Sequence, residues 1–277
     1  MKYTMTSLLS LFVIVALSQK CYDVSATNSF ASLGTDASFM LTHNEPIQKV
    51  KFEGFGTSIT FPVAGGEEGR AYICRASKPT FNWLIVIHEW WGLNDHIRAM
   101  GEQLNKDLKN CNILCLDLYD GLVTDNRDQA AEYMRNADGE RIRAIIDGAR
   151  GYMGTHSKVS SIGWSFGGEW SLQASLAMRE QAIACVMYYG MPEEDEVRIA
   201  ALQANLLGIF ASEDGWVTGK IVQDFESQLF RNEISHEIVT FQAEHAFANP
   251  NNPNFNKKAA KEAYGMAIGF LKAHMEP

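Results

Sequence analysis

The stretch Gly163-Trp164-Ser165-Phe166-Gly167-Gly168 decides the fold of this chain. It follows a short apolar run and precedes a segment with helical apolar spacing, so it predicts a sharp turn from a strand into a helix. A serine on such a turn has a crowded backbone, and its neighbours two positions away must lack a Cβ atom, as Gly163 and Gly167 do. The turn would place the Ser165 hydroxyl at a helix N-terminus, where backbone N–H groups stabilise developing negative charge. The alternative is an ordinary tight turn without chemistry.

Short apolar runs alternate with longer segments of helical period through most of the chain. Near-continuous apolar runs are typical of parallel strands that are buried on both faces. Such alternation predicts an α/β protein with a mostly parallel, doubly wound sheet and helices on both faces. The runs lie at 83–87, 113–116, 159–162, 183–187, 206–210 and 238–241, and helices are expected behind Asn94 and over 141–153, 166–178, 193–202, 217–230 and 256–274. Residues 58–62 and 70–75 flank a glycine-rich turn and predict an antiparallel hairpin at one edge of the sheet.

Length and composition limit the class of protein. The chain has 277 residues, of which 46% are hydrophobic, and a formal net charge of -9. This apolar content predicts one well-packed domain over 49–277, preceded by an N-terminal extension over 27–48. An acidic surface without a run of Lys and Arg argues against nucleic acid or a membrane surface as partner. A small molecule is the expected partner.

The first residues have the pattern of a secretory signal peptide. An apolar stretch over 8–17 is about half of the ~20 residues needed to span a bilayer. Val24-Ser25-Ala26 is a small-x-small cleavage signature, and Ala16-Leu17-Ser18 is a second option. We therefore expect a signal peptide over 1–26, a secreted or periplasmic protein, and no stable membrane insertion.

The cysteines do not indicate a disulfide framework. Cys21 lacks the small preceding residue that a lipidated N-terminus requires, because Lys20 stands there, so a lipoprotein anchor is not expected. If Cys111 and Cys115 lie on one strand, they are roughly 13 Å apart, which is too far to bridge. Buried free thiols are the default expectation for the four remaining cysteines, Cys74, Cys111, Cys115 and Cys185.

Two downstream residues can complete a catalytic set with Ser165. A weak nucleophile needs a base, and the base needs an acid that orients it. On a doubly wound sheet, these groups follow strands in the order Ser, acid, His. Asp214 and His245 each follow an apolar run, so we expect both on the rim that carries Ser165. Glu213 is the nearest rival acid, and His236 precedes its strand and is expected at the opposite rim.

A further candidate feature follows the first strong strand, at His88-Glu89-Trp90-Trp91-Gly92. It begins like an H-E-x-x-H zinc motif, but Gly92 stands at the second His position and no other histidines form a close-spaced pair. No metal site is therefore predicted. The loop enters the same rim and can offer a backbone N–H to an oxyanion and the Glu89 carboxylate to the site. Taken alone, Glu89 is equally compatible with a solvated turn.

Six short motifs occur in a consistent order between about Phe52 and Met275: IHEWWG, DLY, GWSFGG, YYG, ASEDGWV and EHAFAN. Together they resemble the dienelactone hydrolase family, which implies the α/β-hydrolase fold. The resemblance implies a nucleophile-His-Asp triad at Ser165, His245 and Asp214. It also implies an oxyanion hole formed by the N–H groups of Trp90 and Phe166, and contact of Glu89 with the resting nucleophile.

Two positions depart from the pattern of that family. Its founding members carry Cys at the elbow, whereas this chain has Ser165, whose hydroxyl is almost never ionised near neutrality and depends more on His245. Those members also place an Arg, four residues after the catalytic His, on the substrate carboxylate, and here that position is Asn249. Its loss argues against dienelactone itself and for a neutral or differently shaped ester. Arg127 could supply a cation from another loop.

Aromatic residues around the motifs could line a substrate pocket or simply form core. They are Trp90, Trp91, Trp164, Phe166, Tyr189 and Phe247. The candidate substrate-binding set is Trp164, Tyr189 and Phe247, together with Asn249 and Arg127.

These patterns predict an exported serine hydrolase that cleaves carboxylic esters or lactones through an acyl-enzyme, without a cofactor. Two alternatives stay open: a non-catalytic ligand-binding protein on a hydrolase scaffold, and acyl-transfer or peptidase activity with the same triad. The sequence does not indicate an oligomeric state.

Overall fold

The computed structural model describes residues 31–43 and 52–275, so the expected signal peptide at 1–26 lies outside the described residues. Within these ranges, eight strands form one sheet in the order β1, β2, β4, β3, β5, β6, β7, β8. β1 pairs antiparallel with β2, and β2 pairs antiparallel with β4, whereas the remaining neighbours are parallel. The mostly parallel sheet and its edge hairpin are therefore confirmed. The strands are β1 (Thr57–Phe61), β2 (Gly69–Cys74), β3 (Asn82–Ile87), β4 (Asn112–Asp117), β5 (Lys158–Trp164), β6 (Ala182–Tyr188), β7 (Asn205–Ala211) and β8 (His236–Phe241).

Helices cover both faces of the sheet, which confirms the doubly wound arrangement. They are α1 (Ala37–Leu41), α2 (Asp95–Leu108), α3 (Arg127–Arg135), α4 (Gly139–Met153), α5 (Phe166–Met178), α6 (Glu196–Ala200), α7 (Gly219–Arg231) and α8 (Lys257–Met275). Successive side chains of a strand point to opposite faces. Ile85 and Ile87 of β3 therefore join an apolar cluster with α4, α5 and α7, whereas Leu84 and Val86 join one with α2 and α8.

Three helices differ from the predictions, namely α1, α3 and α6, and α1 lies in the expected N-terminal extension. A helix was expected over 193–202, but α6 is shorter because the Asp195 carboxylate caps it by accepting a hydrogen bond of 2.8 Å from the Val197 N–H. The Glu193 carboxylate accepts from the N–H groups of Glu194 and Asp195, which holds this stretch outside the helix. The sequence analysis missed α3, whose buried residues are Ala130, Ala131 and Met134, and these mostly small side chains give a weak periodic signal.

The cysteines of the domain match the expectation of free thiols. Cys74, Cys111, Cys115 and Cys185 are buried and unpaired, and burial raises the pKa of each thiol. None of them is therefore a reactive thiolate near neutrality. No helix within residues 31–43 and 52–275 has the length and apolar character needed to cross a membrane.

Candidate active site

One rim of the sheet carries the candidate residues. The loop after β3 carries Glu89, the turn after β5 carries Ser165, and the loops after β7 and β8 carry Asp214 and His245. Because these strands run parallel, their carboxyl ends meet at the same rim. Residues up to 156 positions apart along the chain (89 to 245) are brought together in this way.

The turn at Ser165 is a strained strand-to-helix junction. Ser165 has φ 55° and ψ -118°, a conformation that L side chains rarely adopt, and α5 begins at the next residue. A Cβ atom at Gly163 would overlap the carbonyl group of Gly167. A Cβ atom at Gly167 would lie 2.5 Å from the carbonyl oxygen of Ile87. Both glycines are therefore required for this turn to form against β3.

Ser165, His245 and Asp214 form a continuous hydrogen-bonded chain. The distance from Ser165 Oγ to His245 Nε2 is 2.9 Å, and that from His245 Nδ1 to Asp214 Oδ2 is 2.6 Å. A carboxylate only accepts, so His245 Nδ1 donates, and its Nε2 is free to accept the serine proton. This is the tautomer that a general base acting on Ser165 needs.

The second oxygen of Asp214 fixes the carboxylate. Oδ1 accepts from the N–H groups of Trp216 at 2.9 Å and Val217 at 3.0 Å. Burial acts to raise the pKa of Asp214, but the adjacent His245 and these hydrogen bonds outweigh it and hold the pKa below its usual range. The rival acid Glu213 is exposed, and His236 lies at the start of β8, at the opposite rim.

The backbone N–H groups of Phe166 and Trp90 are the candidate donors to an oxyanion. Phe166 is the first residue of α5, and Trp90 lies in the loop after β3. Neither N–H donates to a backbone or side-chain acceptor within residues 31–43 and 52–275. Free N–H groups at a helix N-terminus and in an adjoining loop are the usual components of an oxyanion hole on this fold.

Glu89 is hydrogen-bonded to Asn249 and not to Ser165. The Asn249 Nδ2 group donates to Glu89 Oε2 at 2.5 Å, and the Ser165 hydroxyl pairs with His245 instead. Burial raises the pKa of Glu89 to about 7, against the opposing effect of the Asn249 hydrogen bond. The carboxyl group therefore changes charge near neutral pH, at the rim of the sheet that also carries Ser165.

Two of the candidate substrate-binding residues lie at one cavity, and the other three do not line it. Trp164 and Asn249 line a cavity of about 320 Å³ beside Glu89, with Trp91, His96 and Met100 among the other lining residues. This cavity is predominantly apolar with a few polar groups, as small-molecule sites are.

Tyr189 and Phe247 lie deeper in the site than this cavity. Both are fully buried, with ring centroids 5.5 Å apart, and the Tyr189 ring is 5.1 Å from that of His245. Tyr189 therefore packs against the His245 imidazole, and Phe247 packs against Tyr189. Arg127 begins α3 and makes no hydrogen bond or ion pair with the triad or Glu89 among the described residues.

The sequence analysis missed three aromatic residues that surround His245. The ring centroids of Phe39, His43 and Trp216 lie 5.5, 5.6 and 5.9 Å from that of His245. Trp216 stands in the ASEDGWV motif and could have been found there, two positions after Asp214. Phe39 and His43 lie in the N-terminal extension and carry no motif. Their packing leaves His245 only 1% exposed.

The described ranges contain no group of three or more His, Cys, Asp or Glu side chains arranged to hold a metal ion.

Comparison with known proteins identifies the family. The model of the dienelactone hydrolase family matches residues 70–275. A candidate carboxymethylenebutenolidase from Aquifex aeolicus is 25% identical over 205 residues, which cover 70% of this chain and 88% of that protein. The protein named usf from Aquifex pyrophilus is 24% identical over 203 residues, covering 69% of this chain and 88% of its own length.

Solved structures share the fold. The dienelactone hydrolase from Anabaena variabilis has a TM-score of 0.61 at 18% identity, with 80% of this chain covering 98% of that one. The dienelactone hydrolase-like promiscuous phosphotriesterase P91, from metagenomic libraries, has a TM-score of 0.68 at 17% identity, with 80% of this chain covering all of that one. The sheet, the helices on both faces and the match over 70–275 together show that the chain is an α/β hydrolase that belongs to the dienelactone hydrolase family.

Proposed function

We propose that this chain is a serine hydrolase of carboxylic esters or lactones. The observation that carries the proposal is the hydrogen-bonded chain from Ser165 Oγ through His245 to Asp214, with distances of 2.9 and 2.6 Å. A serine on a strained elbow, a histidine in the base tautomer and an ionised, buried acid are the components of nucleophilic acyl transfer.

In the first half of the reaction, Ser165 Oγ attacks the carbonyl carbon and its proton passes to His245 Nε2. The carbonyl oxygen becomes an oxyanion, which accepts hydrogen bonds from the N–H groups of Phe166 and Trp90. Asp214 stays ionised and stabilises the imidazolium. The imidazolium then protonates the leaving alcohol oxygen, the carbon–oxygen bond breaks, and an acyl-Ser165 ester remains.

In the second half, water takes the place of the alcohol. His245 Nε2 removes a proton from the water, the hydroxide attacks the acyl carbon, and Ser165 Oγ recovers its proton as the acid leaves. Glu89 contributes as a positioning residue near the water, in its ionised or neutral form according to pH. No step requires a cofactor.

Neutral substrates fit the cavity better than anionic ones. Asn249 lines it and is already bound to Glu89. Neither residue offers the bidentate positive partner that a substrate carboxylate prefers. We therefore propose uncharged esters or lactones as the substrate class.

The test measures hydrolysis of 4-nitrophenyl acetate by the wild type, Ser165→Ala and Ser160→Ala. Ser160 is a matched control, because it lies on β5, is fully buried and has an Oγ atom without a hydrogen-bond partner in the part of the chain that the structure describes. Ser165→Ala is expected to lower kcat/KM at least ~10³-fold, and Ser160→Ala to change it less than about threefold. Equal rates for the wild type and Ser165→Ala would remove Ser165 as nucleophile.

We also propose export to the periplasm or the medium, on the signal pattern in residues 1–26. Expression of the full chain in a bacterial host, followed by fractionation and N-terminal sequencing, tests this. A mature chain that begins at Thr27 is expected outside the cytoplasm, and an uncleaved cytoplasmic chain would contradict it.

A further inference from the structure

Residues 31–43 form a wall over the catalytic histidine. This segment, hereafter the N-terminal wall, contains the turn Leu33–Thr35 and α1, and it lies outside the residues 70–275 that the family model matches. The family match therefore does not account for this segment.

Two polar contacts hold the N-terminal wall in place. The Asp36 carboxylate caps α1 by accepting from the Ser38 N–H at 2.8 Å, and its other oxygen accepts from Trp216 Nε1 at 3.1 Å. Arg135 of α3 donates from Nη1 to the carbonyl oxygen of Gly34 at 2.7 Å. A helix of five residues has little stability by itself, so these contacts and the packing of Phe39 determine where α1 lies.

Phe39 lies against two residues that the proposed reaction uses. Its ring centroid is 5.5 Å from that of His245 and 5.7 Å from that of Trp90, the residue that supplies an oxyanion N–H. Phe39 is only 1% exposed, and it also packs edge-on against Trp216 at 5.2 Å. Phe39 therefore covers the His245 imidazole and the Trp90 ring on this side of the site.

His43 extends the same wall without adding charge. Its Nδ1 donates to the Phe39 carbonyl oxygen at 2.8 Å, and its ring lies 4.8 Å from Trp90 and 5.6 Å from His245. Burial, with a contribution from the adjacent His245, lowers the pKa of His43 to about 3. The residue is neutral at working pH, so it acts by its volume.

We propose that Phe39 and His43 determine specificity by limiting the size of the alcohol portion of the ester. The oxygen of the leaving alcohol must reach His245 Nε2 to be protonated, so the group attached to it lies alongside the imidazole that these two residues cover. Small or flat alcohol groups, and the ring oxygen of a small lactone, fit beneath the wall, and bulky groups collide with it. This inference rests on the proposed esterase function.

The experiment compares phenyl acetate with 1-naphthyl acetate, whose leaving groups have similar acidity and different size. kcat/KM reports the steps through acylation, in which the alcohol leaves. The naphthyl ratio is kcat/KM for 1-naphthyl acetate divided by kcat/KM for phenyl acetate, and Phe39→Ala is expected to raise it at least tenfold. The butyrate ratio is kcat/KM for phenyl butyrate divided by kcat/KM for phenyl acetate, two esters that differ only in the acyl portion. Phe39→Ala is expected to change the butyrate ratio less than about threefold.

Leu41→Ala is the matched control, because Leu41 lies on the same short helix and is 65% exposed. It should leave both ratios unchanged. If Phe39→Ala fails to fold by circular dichroism, Phe39→Leu is used, with an expected change of at least threefold in the naphthyl ratio.

Three results would overturn the inference in distinguishable ways. An unchanged naphthyl ratio in the folded Phe39 variant removes the size role of the wall and leaves the esterase function intact. An equal rise in both ratios indicates a general loosening of the site. Wild-type activity no higher than that of Ser165→Ala removes the proposed function itself, and the specificity role with it.

Discussion

The backbone at Ser165 is held in a high-energy conformation by its two glycine neighbours. The sequence predicted this turn correctly, because the spacing of Gly163 and Gly167 around a serine has a local steric cause. The surroundings of His245 were less predictable, since Phe39 and His43 reach it from a distant segment. Contacts of that kind depend on packing and leave no periodic trace in a single sequence.

Gly163→Ala is expected to destabilise the protein by at least about 3 kcal/mol, because its methyl group would overlap the Gly167 carbonyl. Gly151→Ala is the control: this glycine lies within α4 with no atom within 4 Å of a built Cβ. It should raise stability by about 0.5–1 kcal/mol, as alanine does in helices. Urea unfolding measures both, and similar midpoints for the two variants would contradict the steric account.

Glu89 should make stability depend on pH. Its pKa in the folded protein is about 7, above the ordinary value of 4.5, so the folded state binds the proton more tightly than the unfolded state. The contribution of the protonated Glu89 carboxyl to the free energy of unfolding is therefore fully present below pH 4.5 and is lost as the pH rises through 7. The glutamine of Glu89→Gln carries no charge at any pH, so it does not lose stability in this way. The free energy of unfolding of the variant, relative to that of the wild type, should therefore rise by about 1–2 kcal/mol between pH 5 and pH 8, a range reduced to allow for the partial exposure of Glu89.

The measurement for Glu89 is the free energy of unfolding across that pH range for both proteins. Glutamine keeps an oxygen to accept the Asn249 hydrogen bond, so the comparison isolates the charge. Parallel stability curves would show that Glu89 titrates at its ordinary pKa.

At the scale of elements, the sequence located most helices and strands, and its errors have local causes. The expected helix over 166–178 coincides with α5, because a glycine-rich elbow marks its start. The expected helix over 193–202 is wrong by several residues, since Asp195 is the true cap. The α3 helix was missed because its buried side is mostly alanine, whose apolar signal is weak.

Helix α5 carries a buried acid that should lower stability. Glu169 is 1% exposed, and neither carboxyl oxygen has a hydrogen-bond partner among residues 31–43 and 52–275. Burial, with a contribution from the charge of Glu193, raises its pKa well above the usual range. Glu169→Met should therefore stabilise the protein by about 1–3 kcal/mol at pH 7.

Glu102 is a second buried acid, but unlike Glu169 it accepts hydrogen bonds. It is 5% exposed, and its Oε1 accepts from the N–H groups of Phe55 and Gly56 and, at 2.7 Å, from the Tyr72 hydroxyl. Glu102→Met leaves those donors unsatisfied and should destabilise by about 2–4 kcal/mol. Thermal and urea unfolding of both variants test the pair, and a change of the same sign in both would contradict the argument.

At the scale of the whole molecule, sheet topology explains why the site was largely predictable. Parallel strands deliver the ends of β3, β5, β7 and β8 to one rim, so the order and position of apolar runs were enough to select Ser165, Asp214 and His245 as candidates. The N-terminal wall was not predictable, because α1 owes its place to docking against Trp216 and α3. The N-terminal wall, which packs against His245, lies before the expected domain at 49–277.

The proposed role of Ser165 as a nucleophile activated by His245 can be tested by covalent labelling. The protein is treated with a small fluorophosphonate, and the peptide that contains Ser165 is examined by mass spectrometry. We predict stoichiometric labelling of Ser165 in the wild type, no labelling in Ser165→Ala, and labelling at least ~10²-fold slower in His245→Gln. An unlabelled Ser165 in the folded wild type, or equal labelling rates in the wild type and His245→Gln, would contradict the account.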